Sequence, residues 1–254
     1  MIEIKDLHKS FGEEHILKGL NFVFETGKTN LVIGQSGSGK SVLLKCMLGL
    51  FTPEEGTIEY DGKPYSSFDE GQKRELRQEI GMLFQGGALF DSMTVEENVM
   101  FPLRMFTRKK RKELLERVQE VLERVNLQDA GKKLPSEISG GMQKRVAIAR
   151  AIVKKPKYLF CDEPNSGLDP HTATVIDNLI HELTVEYDIT TVVITHDMNS
   201  LLEIGENIAF LKDGKLAWKG DKSQIFKTED ETVTNFVYSS DLFKKVKIAQ
   251  QQGL

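Results

Sequence analysis

An α/β fold built on a buried parallel sheet is what this sequence predicts, on three observations. Leu31-Val32-Ile33, Tyr158-Leu159-Phe160-Cys161 and Thr190 to Thr195 (TTVVIT) are short apolar runs rich in β-branched or aromatic residues. They lack polar alternation, so they read as strands buried on both faces. Each breaks abruptly into polar residues: GQSGSGKS after the first, Asp162-Glu163 after the second, His196-Asp197 after the third. Ligands of open α/β sheets bind outside the carboxyl ends of the strands. Three strands delivering polar groups to one edge therefore also predict where a site lies.

The remaining elements follow in chain order. Ile2-Glu3-Ile4, Asn21-Phe22-Val23-Phe24 and Thr57-Ile58-Glu59-Tyr60 read as strands beside the turn signals Thr26-Gly27-Lys28 and Tyr60-Asp61-Gly62-Lys63, giving a small antiparallel layer. A helix, Val42 to Leu48, follows the glycine-rich run. The middle, about 92 to 155, is predicted helical and is bracketed by Pro102 and Pro135. Arg108 to Val125 carries Leu114, Leu115, Val118, Val121, Leu122 and Val125 at helical spacing. A helix after Gly141 carries Met142, Val146, Ala149 and Val153. No internal repeat or low-complexity segment is present, and the chain after about 226 is weakly patterned.

Composition excludes several classes. With 254 residues and 39% hydrophobic content the chain can bury a sizeable core. Its 34 basic and 38 acidic residues, net −4, argue against a globally basic nucleic-acid binder. No apolar run approaches the roughly 18–20 residues that cross a bilayer, and MIEIKDLHKS lacks the apolar core of a secretory signal. The expectation is a cytosolic chain that does not itself cross a membrane. Cys46 and Cys161 sit far apart among apolar neighbours and read as buried small hydrophobes, not as a disulfide or zinc site.

Gly34 to Ser41, GQSGSGKS, satisfies the phosphate-binding pattern G-x-x-x-x-G-K-[ST] between a strand and a helix. Gly34, Gly37 and Gly39 allow the tight turns that converge backbone N–H groups, those of Gln35, Ser36, Ser38 and Val42 among them, on the phosphates of a nucleotide. Lys40 supplies a cation against the β- and γ-phosphates, and Ser41 a hydroxyl for Mg²⁺. The helix N-terminus adds its positive end. Asp162, at the end of a buried strand, is the expected Mg²⁺ partner, and Glu163 beside it the general base for an attacking water. Two adjacent carboxylates could instead cap the next helix, but they repel unless a cation compensates. His196, at the same edge, is placed to contact the γ-phosphate and the water. His8, His15, His171 and His181 have no such setting and read as surface or packing residues.

The segment Pro135-Ser136-Glu137-Ile138-Ser139-Gly140-Gly141-Met142-Gln143-Lys144-Arg145, 23 residues before Asp162, resembles the signature motif of ATP-binding cassette (ABC) ATPases. It departs with Ile138 where Leu is common and with Met142 after the glycines. The resemblance covers about residues 2 to 225 and implies a P-loop NTPase core with an antiparallel β layer and a helical subdomain. It implies a domain over 1–225, its helical subdomain at about 87–156, and a C-terminal extension over 226–254. It gives Gln85 the role of a glutamine that contacts Mg²⁺ and reports to the transport partner. Ser166-Gly167-Leu168-Asp169 resembles the D-loop, with Asp169 facing nucleotide. His196 matches the switch histidine, and Phe11 sits where an aromatic stacks on adenine. Asn165 stands where Thr is frequent, and no functional consequence is attached to it. Ser139, Gly140 and Gly141 open a helix that receives a γ-phosphate from the P-loop of a second copy. With one P-loop and one signature, the chain must pair, most simply with itself.

The run Gly81 to Arg104 is most similar to the Mla/Mce-associated lipid-transport ATPases, notably in Phe84-Gln85-Gly86-Gly87-Ala88-Leu89-Phe90-Asp91. Importers of polar solutes often carry Pro near Asp91, and none stands here. This implies a peripheral ATPase on the cytoplasmic face of a bacterial inner membrane. Its partners would be a transmembrane permease and, through the complex, an Mce-type lipid-binding protein. Phospholipid is then handled indirectly, and no nucleic acid is involved. Leu89, Phe90 and Met93 are the candidate apolar contacts to a permease helix. Arg104 to Arg117, with seven basic and two acidic residues, reads as a solvated helix face with Lys/Arg–Glu pairs; contact with anionic headgroups is the other reading. The tail Asp241 to Leu254 packs on the partner copy or binds another subunit. Another solute transporter and a single-cassette soluble assembly ATPase stay open; Lys40 and Ser139 are too close for the coiled coil of DNA-repair relatives.

Overall fold

The computed structural model describes residues 1–238. Strands β1 (Ile2–Phe11) and β2 (Glu14–Phe24) open the chain, followed by β3 (Thr29–Ile33) and α1 (Lys40–Met47). Next come β4 (Glu55–Tyr60), β5 (Lys63–Pro64), α2 (Glu70–Glu79) and β6 (Ile80–Leu83). Three helices follow, α3 (Val95–Phe106), α4 (Arg111–Arg124) and α5 (Gly140–Ile152). Then β7 (Tyr158–Asp162), α6 (Pro170–Glu186), β8 (Thr190–Ile194), α7 (Met198–Ile204), β9 (Asn207–Lys212), β10 (Lys215–Gly220) and α8 (Glu231–Val237) complete the described chain.

The strands form two sheets. The first is antiparallel, in the order β2-β1-β4-β5. The second runs β10-β9-β3-β8-β7-β6, parallel except for β10. The three apolar runs are three of its four inner strands, β3, β7 and β8, and side-chain parity shows why they do not alternate. Leu31, Ile33, Leu159, Cys161 and Val193 enter one apolar cluster, whereas Val32, Tyr158, Phe160, Val192 and Ile194 enter another. Both faces are covered, so both parities are apolar. The first cluster adds α3, α4, α5 and α6 through Val99, Val118, Val146 and Ile176; the second adds α1 and the antiparallel sheet through Leu43, Met47, Ile4 and Phe24. Cys46 and Cys161 are buried and unpaired.

Two sequence readings need correction. The basic run starts its helix at Arg111, not Arg108. Thr107 ends α3 in an extended conformation, and the Lys110 N–H is taken by Glu113 Oε2 at 2.9 Å as the cap of α4. Arg108, Lys109 and Lys110 are exposed: like charges packed together gain solvation and lose repulsion outside a helix. Pro102 does not bound the helical region; it lies inside α3, on its groove-facing side. Strands β6, β9 and β10 were not foreseen. Of the C-terminal extension, α8 is described, whereas the tail from Asp241 to Leu254 lies outside the described residues. Among the described residues no helix is long and apolar enough to cross a membrane.

Candidate functional site

The parallel strands β3, β6, β7 and β8 end on one side, and their following loops converge there. Gly34, Gly37 and Gly39 have φ of 153°, 81° and 102°, values that disfavour a side chain. At Gly34 a Cβ would also strike the Leu211 carbonyl of β9, and at Gly39 it would lie 2.8 Å from Leu17 Cδ2. The loop therefore closes against two strands and aims its backbone into a cleft of about 760 Å³. Gly34, Gln35, Ser36, Gly37, Gly39, Lys40, Ser41 and Val42 line that cleft together with Gln85, Asp162, Glu163 and His196.

The electrostatics favour a polyanion with a cation. Lys40 Nζ donates to the carbonyls of Gly34 at 2.7 Å and Gln35 at 3.0 Å. Burial lowers its pKa, with Glu163 and Asp162 opposing. Burial raises the Asp162 pKa and Glu163 adds to it, with Lys45 and Lys40 opposing. A carboxylate whose charge is resisted by burial and by a neighbouring carboxylate is relieved by a bound cation. Among the described residues no three His, Cys, Asp or Glu side chains are grouped to hold a metal alone. Ser41, Asp162 and Gln85 are the residues in the cleft that could hold Mg²⁺, with the remaining ligands supplied by nucleotide phosphate and water.

Glu163 has φ 47°, a left-handed conformation in a non-glycine residue. Its N–H donates to Ile194 O of β8 at 2.9 Å, which holds the strained turn beside the next strand. The carboxylate Oε1 lies 2.8 Å from His196 Nδ1. Glu163 is mostly buried, whereas the His196 ring is 70% exposed, so the histidine closes the outer side of the pair.

Gln85 follows β6. Its Nε2 lies 3.4 Å from Ser166 Oγ, and its carbonyl accepts from Lys144 Nζ of α5. Arg150, on the same helix, donates to the carbonyls of Gly87 and Ala88, each at 2.6 Å. The loop after β6 is thus held by α5 at two points.

Ser139, Gly140, Gly141 and Asp169 gather elsewhere, in a depression of about 420 Å³ that shares no lining residue with the first. Ser139 caps α5, accepting from the Met142 N–H at 3.3 Å. Asp169 caps α6, accepting from the Thr172 N–H at 3.0 Å. His171 lies in this depression too. Ser38 and Phe11 line neither. Ser38 faces a smaller hollow beside α8, with its Oγ buried and unpartnered. Phe11 ends β1 edge-on to Phe51, centroids 5.2 Å apart, with Lys9 Nζ 5.1 Å from its own ring centroid. Phe236, Glu14 and Ile16 complete the cleft wall and were missed. Phe236 lies in the weakly patterned C-terminal stretch, where no sequence signal pointed to it.

An apolar groove of about 450 Å³ lies beside Gln85. Phe84, Phe90, Phe101, Pro102 and Phe106 line it, rimmed by Arg77, Arg150 and Lys154. Of the three residues expected at an apolar contact, Phe90 lines the groove, Leu89 packs on the core and Met93 is half-buried outside it.

Comparison with known proteins adds four findings. The ABC transporter family model matches residues 17–166. The "Probable ribonucleotide transport ATP-binding protein mkl" of Mycobacterium leprae is 39% identical over 236 residues, which is 93% of this chain and 68% of that protein. The "Methionine import ATP-binding protein MetN" of Clostridium tetani is 38% identical over 242 residues, 95% of this chain and 76% of that protein. Among solved structures, the dimeric post-hydrolysis state of the ATP-binding cassette MJ0796 bound to ADP and Pi matches with TM-score 0.77 and 34% identity. That match covers 87% of this chain and 99% of the other.

Proposed function

The chain belongs to the ABC transporter family of ATP-binding proteins, and from that premise we propose that it powers movement of phospholipid between the inner and outer membranes of a bacterium. It is the ATP-binding subunit of an ABC transporter and an ATPase that works with Mg²⁺. We take residues 1–225 as the ATPase domain, about 87–156 as its helical subdomain and 226–254 as an extension. The single observation that carries the ATPase mechanism is the meeting of Lys40, Asp162, Glu163 and His196 in one cleft.

In that mechanism the amides of Gly34 to Val42 cradle the phosphates and Lys40 leaves the loop carbonyls to pair with the β- and γ-oxygens. Ser41, Asp162 and Gln85 are the residues that would hold Mg²⁺. When bound, Mg²⁺ neutralises charge developing on the transferring phosphoryl group. His196 donates from Nδ1 to Glu163 Oε1, a tautomer that follows from an ionised partner. Oε2 of Glu163 is then the oxygen left to take the proton of the attacking water, giving ADP and phosphate. The second depression holds no catalytic cation or base, and the first holds no signature residues. We propose that two copies pair so that Ser139 and the amides of Gly140 and Gly141 close on the γ-phosphate bound by the partner copy, with Asp169 facing that nucleotide, while Phe11 is the aromatic on which adenine stacks. ATP binding closes the pair and hydrolysis reopens it.

The apolar groove beside Gln85 supports docking of a permease helix, and the loop anchored by Lys144 and Arg150 links that groove to the cleft. This reading places the chain peripherally on the cytoplasmic face of the inner membrane. An Mce-type lipid-binding protein belongs to the complex, and no nucleic acid is involved. The phospholipid assignment rests on Phe84 to Asp91. A second reading, import of a polar solute, is favoured by the names of the relatives above. Isolation of the chain with its permease from detergent-solubilised native membranes, with mass spectrometry of bound lipid, separates them. Co-purified phospholipid and an Mce-type protein support the first; a permease with a soluble binding protein and no enriched phospholipid supports the second.

A further inference from the structure

Three buried polar side chains join the two loops that carry Glu163 and His196. Asn165 follows Glu163 by two positions, Ser200 lies on α7 four positions after His196, and Asp177 lies midway along α6. They are 8%, 0% and 1% exposed. Asn165 Nδ2 donates to Ser200 Oγ at 3.0 Å, and both side chains face the Asp177 carboxyl group and favour its charged form. The set is not fully satisfied: Asn165 Oδ1 and Asp177 Oδ1 are buried without a partner. Apolar residues at these positions would serve the α6–α7 contact without that cost, as Ile176, Ile180, Leu201 and Ile204 do around them. A carboxyl group buried between two catalytic loops, against the interest of stability, points to a role in placing those loops.

We propose that Asp177 is a positioning residue that, through Asn165 and Ser200, locks the Glu163 loop to the His196 loop. This rests on the reading of Glu163 and His196 as a catalytic pair. The ionised carboxylate is the form that locks. It accepts from the Ser200 hydroxyl and the Asn165 amide together and so fixes both backbones. Protonation converts one carboxyl oxygen into a donor and slackens that hold.

The charge on Asp177 is sensitive to pH. Burial pushes its pKa up to about 6, with Ser200 and Asn165 opposing and with Asp197 and Glu203 of α7 adding to the rise. From β7 the facing group is the buried Cys161 thiol, whose own pKa burial raises and which stays neutral.

The test measures kcat and KM for MgATP, and melting temperature, across acid and neutral pH on the full chain, with Asp177→Asn, Ser200→Ala and Glu163→Gln compared. Asp177→Asn is expected to lower kcat roughly tenfold at pH 8, with KM within about twofold because the cluster does not touch nucleotide. Its melting temperature at pH 8 is expected to rise, since a buried charge is removed. The ratio of wild-type to variant turnover cancels titrations common to both chains. That ratio is expected to fall toward one as the pH drops through the Asp177 value. Ser200→Ala, which keeps an apolar-compatible volume, is expected to show the same loss of kcat at unchanged KM. A ratio that is flat with pH, a loss of melting temperature parallel to the loss of kcat, or full turnover by a folded Ser200→Ala chain would overturn the proposal. If Glu163→Gln keeps its turnover, the catalytic-pair reading fails first. If that variant is inactive while the Asp177→Asn ratio stays flat, the positioning role alone fails.

Discussion

His196 Nδ1 sits 2.8 Å from Glu163 Oε1, so a side chain two residues past β8 directly engages the one that follows β7. The contact fixes which carboxylate oxygen is free, and it explains why a strained φ of 47° at Glu163 is tolerated. Glu163→Gln keeps size and can keep the histidine contact but cannot take a proton. Turnover is expected to fall on the order of 10²–10⁴-fold, with ATP still bound and the dimer held closed. Single-turnover kinetics with size-exclusion chromatography check this. Near wild-type turnover would remove Glu163 as the base.

Lys40→Ala removes the cation from a loop whose other contributions are backbone amides. The nucleotide is expected to bind weakly and turnover to vanish, because a charge-assisted contact to phosphate is lost in a half-buried site. Titration calorimetry with MgATP reads the affinity. Binding as tight as that of the unchanged chain would show that the amides alone suffice.

Ser139 and Lys40 line different depressions, which sets up a clean separation. Ser139→Ala is expected to lower turnover while the monomer still binds ATP. Loss of its cap on α5 costs about 1 kcal/mol of stability. Equilibrium binding at concentrations where the chain is monomeric decides the matter: absence of monomer binding would contradict completion of the site by a second copy.

Much of this arrangement was legible in the sequence because buried parallel strands announce themselves. Strands β3, β7 and β8, three of the four inner strands, are apolar at both parities, and each leads into the residues that line the cleft. The outer strands β6 and β10, and the inner β9, were not legible. β6 is four residues with Gly81 inside it, and a Cβ there would meet Pro156 Cγ at 3.1 Å, so the glycine answers to close packing that no local pattern encodes. In β10, KLAWKG sits at a half-exposed edge, where burial does not impose a strong signal. Phe11 ends β1 with an exposed ring edge-on to Phe51 and beside Lys9, contacts that the residue type alone did not reveal. Asn165 drew no consequence from sequence, because its partner Ser200 is 35 positions away and only the turn of α7 against α6 brings them together.

Arg150 illustrates coupling by backbone. Burial lowers its pKa, and both of its bonds go to carbonyls, those of Gly87 and Ala88. Ala88 itself has φ 48°, so the arginine holds a strained loop beside the apolar groove. Arg150→Ala is expected to destabilise by roughly 3 kcal/mol, two hydrogen bonds to a charged group being lost, and to weaken stimulation of ATP turnover by a bound permease. Urea denaturation and reconstituted ATPase assays check the two halves. Stability unchanged within error would show that the loop is held by Lys144 alone.

Asp177 also makes a prediction for stability against pH. Its pKa rises from 3.8 to about 6 on folding because burial penalises the charged form. Between those values the folded chain keeps a proton that the unfolded chain has released. The contribution of Asp177 to stability is therefore a penalty that is complete above about pH 6 and shrinks as pH falls toward 4. Its size is on the order of 3 kcal/mol. Groups such as Asp61, held low by the Met1 amine and Tyr158 against the opposing effect of burial, run the other way and lose stability in acid. The whole-chain curve is thus a mixture, and the comparison with Asp177→Asn isolates one term. The variant is expected to be the more stable chain at pH 8, with its advantage shrinking toward pH 4. Denaturant unfolding of both chains at several pH values measures this directly. An advantage independent of pH would mean that the gain comes from repacking and not from removal of a buried charge.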